Sequence, residues 1–429
     1  MLKSKETLVT TFALFSLFFG AGNLILPPFL GFQSGHAWWL VAIGFCLSAV
    51  LVPILGILAH AKLQGTIYDF GKKVSPDFSL IYSLLIYGIA IALPSPRTAS
   101  VTHEIAIQPY FTTSSLLTSI LYFSLVFIFA INRSKILDIL GKILTPAIII
   151  ILLLIIGITL FGLDFSFGNA SFPSPLSAGI LEGYQTFDAI AAIVVGGVII
   201  ISINQKNNNA TYHDKKKLIA TAGWLAGLAL FLIYTGLIFS GSVLHHHFDD
   251  DASRTELLKG ISQISLGSTA NLLLSLLVSL ACFTTAVGIV TGTSDFIKDR
   301  FHNSQKAYII TAMVGCLLGI VIGQFNVAYI ITIALPALMF IYPITIVLIL
   351  LNVVPEKYGS SLVFRTVIFV CILFSIPDFL ASIGVSLGTE GNAILGLIPF
   401  SEYSLGWVLP ALISFVAANY FHGRRSTTN

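Results

Sequence analysis

Charge is what this sequence has least of. Asp, Glu, Lys and Arg together supply 10% of its 429 residues, against about 25% in an average soluble domain. Hydrophobic residues supply 56%, and the mean hydropathy is +0.94. A soluble fold of this length has no way to cover so much apolar surface, which excludes a soluble globular enzyme. The same composition excludes disorder. Glycine and proline, at 35 and 16, are near average frequency, so a fibrous repeat is excluded. There is no basic arm interleaved with aromatics, so no nucleic-acid partner is expected. Only four cysteines occur, Cys46, Cys282, Cys316 and Cys371. Each lies in an apolar run and none is at metal-ligand spacing, so they read as small buried hydrophobes. No soluble segment is long enough for a P-loop domain, so ATP-driven chemistry is not expected.

What the sequence does have is long, continuous apolar runs. An outer-membrane barrel would show short alternating segments, so these runs predict helices that cross a lipid bilayer. At about 20 apolar residues per crossing, twelve windows qualify: 8–31, 37–60, 79–107, 115–132, 143–163, 183–203, 218–244, 269–296, 307–323, 326–352, 363–385 and 395–421. The expectation is an all-α polytopic membrane protein with twelve transmembrane helices, embedded in membrane lipid. Lys3 and Lys5 ahead of the first run imitate a secretory signal, but residues 8–30 are too long for one and carry Asn23 and two prolines.

The basic residues test this count. With the N-terminus in the cytoplasm and loops alternating, Arg97 falls within a span and only Arg254 and Lys259 fall outside. Of 22 Lys and Arg, 19 are then cytoplasmic. That asymmetry predicts N-in, C-in orientation. The outer loop at 245–268 carries His245, His246, His247, Asp249, Asp250 and Asp251. It reads as a solvated acidic loop, because nothing fixes a tetrahedral ligand set.

Two windows carry clusters of helix-breaking residues. The first carries Gly20, Gly22, Asn23, Pro27 and Pro28, with Asn23 the expected cap of a second half-helix near Leu24. The sixth opens Gly183-Tyr184-Gln185-Thr186-Phe187-Asp188 and later carries Gly196-Gly197. In lipid, interrupted backbone is tolerated only where it lines a cavity or is buried in protein. Spans 1 and 6 cross in opposite directions, and interrupted spans at corresponding positions of two halves point to an inverted-repeat transporter with its substrate at the breaks. Free N–H groups at the start of one half-helix suit a carboxylate, and free carbonyls at the end of the other suit Na⁺ or an ammonium. No ring of charge or filter loop suggests a channel. His36, His60, His103, Glu104 and Asp188 form no catalytic constellation, so no enzyme is expected.

The motifs carry a resemblance. Leu17-Phe18-Phe19-Gly20-Ala21-Gly22-Asn23-Leu24-Ile25 before Pro27-Pro28, Pro96-Arg97-Thr98-Ala99, Glu182-Gly183-Tyr184-Gln185-Thr186-Phe187-Asp188-Ala189, and Thr284-Thr285-Ala286 resemble the bacterial branched-chain amino acid:cation symporters of the BrnQ type. That resemblance implies uptake of leucine, isoleucine and valine coupled to Na⁺ or H⁺, with no cofactor beyond the coupling ion. It implies a LeuT-like 5+5 inverted-repeat core with discontinuous helices 1 and 6: a first repeat over 1–163, a second over 183–352 and two accessory helices over 363–421, all one transporter domain. It also implies alternating access by movement of spans 1, 2, 6 and 7 against 3, 4, 8 and 9. A related carrier for another amino acid or a polyamine is the alternative; a polyamine would want more buried carboxylates.

The remoter resemblance to LeuT-type sodium symporters implies one Na⁺ held by the carbonyls of Ser16, Phe19 and Ala281 and the hydroxyls of Thr284 and Thr285, an all-oxygen set suited to a hard cation. Two such threonines can equally back-bond to the preceding turn. Those symporters place an asparagine of span 7 at a second sodium. Span 7 here offers Thr221, Thr235 and Ser240 and no Asn, so one coupling ion is expected. The substrate carboxylate is expected at the N–H groups of Ala21, Gly22 and Asn23, with Tyr184, Gln185 and Thr186 opposite. Phe18 and Phe187 are candidates for the side-chain pocket. Asp188 at the second break is read as an ammonium ligand, a proton carrier or a helix cap. Arg97 and Glu104, seven apart in span 3, are read as a gating or proton-coupling pair, or as a structural ion pair. Asp295, near Lys298, reads as interfacial.

Reporter fusions test the orientation: a domain active only outside the cell, inserted in the loop near residue 250, should be active, and one fused at the C-terminus should be silent.

Overall fold

The computed structural model describes residues 4–132, 136–194, 196–197 and 211–427. Among them there is no strand. Arg133, Lys135, Lys206 and the end of the sixth window at 198–203 lie outside the described residues.

The first window is two helices, α1 (Ser4–Phe18) and α2 (Ala21–Ser34). Gly20 occupies the N-cap of α2 with an extended backbone (φ −109°), so Asn23 is the third helical residue and not the cap expected of it. Pro27 and Pro28 sit inside α2 and do not end it. They withhold the two N–H groups that would have bonded the Asn23 and Leu24 carbonyls, and their rings crowd those carbonyls. Then come α3 (Trp38–Cys46), a π-helical turn at Leu47–Leu51, α4 (Val52–Leu63) and the short α5 (Ile67–Gly71). The third window is α6 (Pro76–Ala92), α7 (Pro94–Thr102) and a second π turn, His103–Ile107. Pro94 stands at the start of α7, where its missing N–H costs nothing. After α8 (Ser115–Asn132) and α9 (Ile136–Gly162), the sixth window is divided like the first: α10 (Pro175–Tyr184) ends, three residues are not helical, and α11 begins at 188. The remainder is α12 (Tyr212–Val243), α13 (Arg254–Arg300), α14 (Gln305–Gly323), α15 (Val327–Val353), α16 (Ser361–Ser382), α17 (Gly388–Leu395) and α18 (Val408–Thr427).

Nine helical stretches among the described residues are long and apolar enough to cross a membrane. One of them, Gly22–Leu63, runs through two of the sequence windows. The apolar outer faces show what surrounds these helices. On α14, Ile310, Val314, Leu317 and Val321 are exposed while Ala312, Gly315 and Gly319 are buried. A helix apolar on both faces is stable only where its outer face meets lipid. The chain is a multi-pass membrane protein.

The helices form two compact units. The first holds the described residues of Met1–Leu51, Tyr87–Asp188 and Thr221–Thr332. Here α13 is central, packed against α2, α7, α8, α9 and α14. Its start is fixed by a capping box, with Ser253 and Glu256 each accepting from the other's backbone N–H. These bonds hold the Glu256 carboxyl below its ordinary range. Gly267, at φ +77°, interrupts the helical geometry of α13. α10 lies along α3 backbone to backbone: a Cβ on Gly179 would come within 2.8 Å of the Phe45 N and closer still to the Val41 carbonyl.

The second unit holds the described residues of Val52–Ile86, Ala189–Ala220 and Ile333–Asn429. The buried ring of His60 faces the Ile193 carbonyl at 2.8 Å and the Gly65 carbonyl at 3.2 Å. Asn352 Nδ2 donates to the Phe70 carbonyl, and α16 packs on α18.

Gly179→Leu should destabilise the first unit by about 1–3 kcal/mol, the usual cost of overpacking, seen as a lower melting temperature of the detergent-purified protein.

Candidate substrate and cation site

The first break begins where α1 runs out of partners. Phe19 N–H still bonds the Phe15 carbonyl in helical fashion (2.9 Å), but Gly20 N–H turns to the Phe18 carbonyl (3.0 Å). The Ser16 carbonyl thereby loses the N–H that a continuing helix would give it. Beyond the break, the N–H groups of Ala21, Gly22 and Asn23 are the first three of α2. Such groups have no intrahelical acceptor, and Gly20 offers no side chain to cap them. Gly20 lies against α13: a Cβ there would be 3.6 Å from Thr285 Oγ1. The hydroxyls of Thr284 and Thr285 both donate to the Ala281 carbonyl, at 2.9 and 3.0 Å. This is the back-bonded arrangement. It also gathers three oxygens at one point of α13, beside the end of α1, with lone pairs left on each hydroxyl.

The second break is held by Thr186. Its hydroxyl donates to the Gly183 carbonyl (2.8 Å) and accepts from Asp188 N–H (3.2 Å), so it caps α11 from within the break. Phe187 has a left-handed backbone, φ +63°, uncommon for a residue with a bulky side chain and costly to hold. Tyr184, Gln185, Thr186, Phe187 and Asp188 are all buried, as are Phe18 and Asn23.

One amide joins the two breaks. Asn23 Nδ2 donates one hydrogen to Asp188 Oδ2 at 2.5 Å and the other to the Tyr234 hydroxyl on α12. Both hydrogens of the amide are used. Tyr234 packs edge-on against Phe45 (centroids 5.4 Å) and stacks with Phe19 (6.3 Å). Thr221, Thr235 and Ser240 are the polar groups that span 7 offers by sequence, but it is Tyr234, a phenol in the middle of an apolar run, that reaches the breaks. Asp188 is therefore not a bare cap: Thr186 does the capping, and the Asp188 carboxylate points to Asn23.

Arg97 also reaches the breaks, from α7. It is 2% exposed. Nη1 donates to the Gln185 carbonyl at 2.7 Å, and the guanidinium lies over the Phe187 ring, 5.2 Å from its centroid. Gly22 is where it meets α2: a Cβ there would stand 2.5 Å from Nη2 and 3.3 Å from the Gln185 carbonyl oxygen. Only glycine allows that approach.

Arg97 and Glu104 do not pair. Seven residues of helix separate them by about 10 Å along the axis, and each has found partners of its own. Glu104 accepts from the Thr255 hydroxyl (2.7 Å) and from Val327 N–H at the start of α15 (2.9 Å), while Lys259 Nζ donates to its backbone carbonyl (3.2 Å). Glu104 lines a cavity of about 710 Å³ with His103, Arg254, Thr255, Lys259 and Asn326. Beside it, Arg254 pairs with Glu182 at 2.8 Å and covers the Phe29 ring at 4.1 Å. No group of three His, Cys, Asp or Glu able to hold a metal occurs among the described residues. His245 instead bonds the Phe32 carbonyl (2.9 Å).

Two discontinuous helices whose breaks meet at a buried polar cluster fit a membrane transporter. The fold agrees. The chain superposes on MhsT in complex with L-phenylalanine with a TM-score of 0.56 at 16% identity, covering 96% of this chain and 97% of that one. On the inward-facing conformation of Mhp1 the TM-score is 0.61 at 12% identity, covering 97% and 90%.

The chain belongs to the family described as branched-chain amino acid transport protein, which it matches over residues 3–424. It is 33% identical to the branched-chain amino acid permease BraB of Bacillus subtilis, over 96% of this chain and 94% of the permease. It is 31% identical to the branched-chain amino acid transport system 2 carrier protein of Pseudomonas aeruginosa, over 97% and 96%. These relatives are named as permeases and carriers, not enzymes.

Asn23→Ala leaves a buried carboxylate and a buried phenol without their shared donor. It should cost about 1–3 kcal/mol of stability and should cut substrate uptake by more than the loss of folded protein explains, measured by melting and by uptake normalised to folded carrier.

Proposed function

We propose that the chain is a secondary active symporter that imports leucine, isoleucine and valine with a cation by alternating access. The observation that carries this reading is the Asn23–Asp188 bond between two helix breaks, together with the family. In this reading the protein has twelve spans with both termini cytoplasmic, in a bacterial inner membrane, and a 5+5 inverted-repeat core followed by two accessory helices. The substrate lies at the breaks. Its carboxylate is bound at the Ala21, Gly22 and Asn23 N–H groups, where the helix dipole is positive. Gln185 and Thr186 shape the opposite wall, and Asp188 faces the ammonium. Phe18, Tyr184 and Phe187 supply apolar surface. An apolar pocket separates side chains differing by a methylene by only about 1–3 kcal/mol, so one carrier accepts all three branched amino acids.

The coupling ion is Na⁺ in the favoured reading. Ser16, Phe19, Ala281, Thr284 and Thr285 offer neutral oxygens only, the donor chemistry of a hard monovalent cation, and the reading is supported by Gly20 standing against Thr285. H⁺ is the second reading, favoured by Asp188, a carboxylate buried in the same cluster. Any role of Glu104 belongs to the separate cavity it lines.

The test is radiolabelled leucine uptake into proteoliposomes under an inward Na⁺ or an inward H⁺ gradient, with valine, isoleucine, alanine and lysine as competitors. Na⁺-driven uptake blocked by valine and isoleucine is expected. In Thr285→Ala the Na⁺ concentration for half-maximal uptake should rise about tenfold, the equivalent of one ligand worth about 1.4 kcal/mol. Uptake driven by H⁺ alone, or an unchanged Na⁺ dependence in the variant, removes the sodium site. Absence of leucine uptake under either gradient removes the substrate.

A further inference from the structure

Arg97 is placed where a cation should not be. It is buried, and its guanidinium has five N–H donors that need acceptors. One Nη1 donor is taken by the Gln185 carbonyl. The Phe187 ring covers one face. Nε has no acceptor, and among the described residues no carboxylate stands within ion-pair distance of the group; Asp188 and Glu182 attract it only from farther off. Asp188, which shares the cluster, is held by Asn23. A buried, unpaired charge costs several kcal/mol.

Its surroundings make matters worse. Nη2 stands against Gly22, in the first turn of α2, whose free N–H groups carry the positive end of the helix dipole. Guanidinium and helix terminus repel each other unless an anion lies between them. An anion of the right shape would satisfy both: it would take the unpaired Nε hydrogen and the N–H groups of α2 at once. The ring of Phe187 and the carbonyl of Gln185 hold the guanidinium still, so little freedom is lost when such an anion binds.

We propose that Arg97 is the charged ligand of the substrate's carboxylate, completing with the first turn of α2 a site that recognises an α-carboxylate whatever side chain accompanies it. This rests on the placement of the substrate at the helix breaks and adds to it a side-chain partner and a substrate class. The site requires a monocarboxylate head and rejects the same molecule as an amide or ester. Arg97 is thus a binding residue and not half of a gate with Glu104. Gly22 is its counterpart, since any side chain there would displace the guanidinium.

The experiment uses purified full-length protein in nanodiscs. Equilibrium binding of radiolabelled leucine and other neutral amino acids is competed with each unlabelled amino acid and with its amide, at fixed Na⁺ and pH. The wild type should prefer each bound amino acid to its amide. Arg97→Gln should weaken binding of the acid by about thirty-fold or more, the range for removing one side of a buried charged pair, and should leave acid and amide nearly equal. Arg97→Lys, a point charge without the fork, should keep a reduced preference, and it carries the test if Arg97→Gln does not fold. A purely structural arginine would weaken acid and amide by the same factor. An unchanged acid-to-amide ratio in the variants, or no preference in the wild type, overturns the proposal. The side chain that binds best is read separately: a winner other than leucine, isoleucine or valine refutes the substrate reading while the ratio still judges Arg97.

Discussion

In hydrocarbon a backbone N–H or C=O without a partner costs several kcal/mol, because no water is there to replace it. Two helix breaks in one membrane protein are therefore costly local features, and much of the polar chemistry in the first unit answers to them. Gly20 N–H folds back on Phe18. Thr186 caps the helix that starts at 188. Arg97 takes the Gln185 carbonyl. Asn23 reaches from the first break to the Asp188 carboxylate that follows the second. What these contacts leave over, the Ser16 carbonyl on one side and the first N–H groups of α2 on the other, is a pair of opposite partial charges beside each other. A zwitterion travelling with a cation is a ligand that can use both.

The same cost explains why so much of the architecture was legible in the sequence. Breakers are conspicuous in apolar runs because few residue types occur there at all. Gly20, Gly22 and Asn23 marked the first break, and Gly183 through Asp188 the second. The division of the third window, with Pro94 at the start of α7, was not read from the sequence. Three of the four family motifs fall on the same segments, and the fourth, Thr284-Thr285-Ala286, lies in α13.

What was not legible depended on distance through space. Pro27 and Pro28 look like breakers, yet α2 runs through both. Asn23 looked like a cap by its residue type, but the helix started two residues earlier and freed its amide to bond Asp188 and Tyr234. Periodicity put Arg97 and Glu104 on one helix face. It could not show that Gln185 and Gly22 wait beside the first and Thr255 and Val327 beside the second. Tyr234 is hidden for the same reason: nothing near it in sequence announces that α12 passes the breaks.

Phe187 carries a consequence for the residue types that can stand at its position. Its left-handed backbone closes the site to valine, isoleucine and threonine, whose branched Cβ atoms clash there. Glycine would relax the backbone at once but would take away the ring beneath the guanidinium of Arg97. The position thus faces two demands that no single residue meets at ease. Phenylalanine supplies the aromatic at the cost of a strained backbone, so the alphabet open to the position is short: a flat, unbranched side chain, and few letters besides.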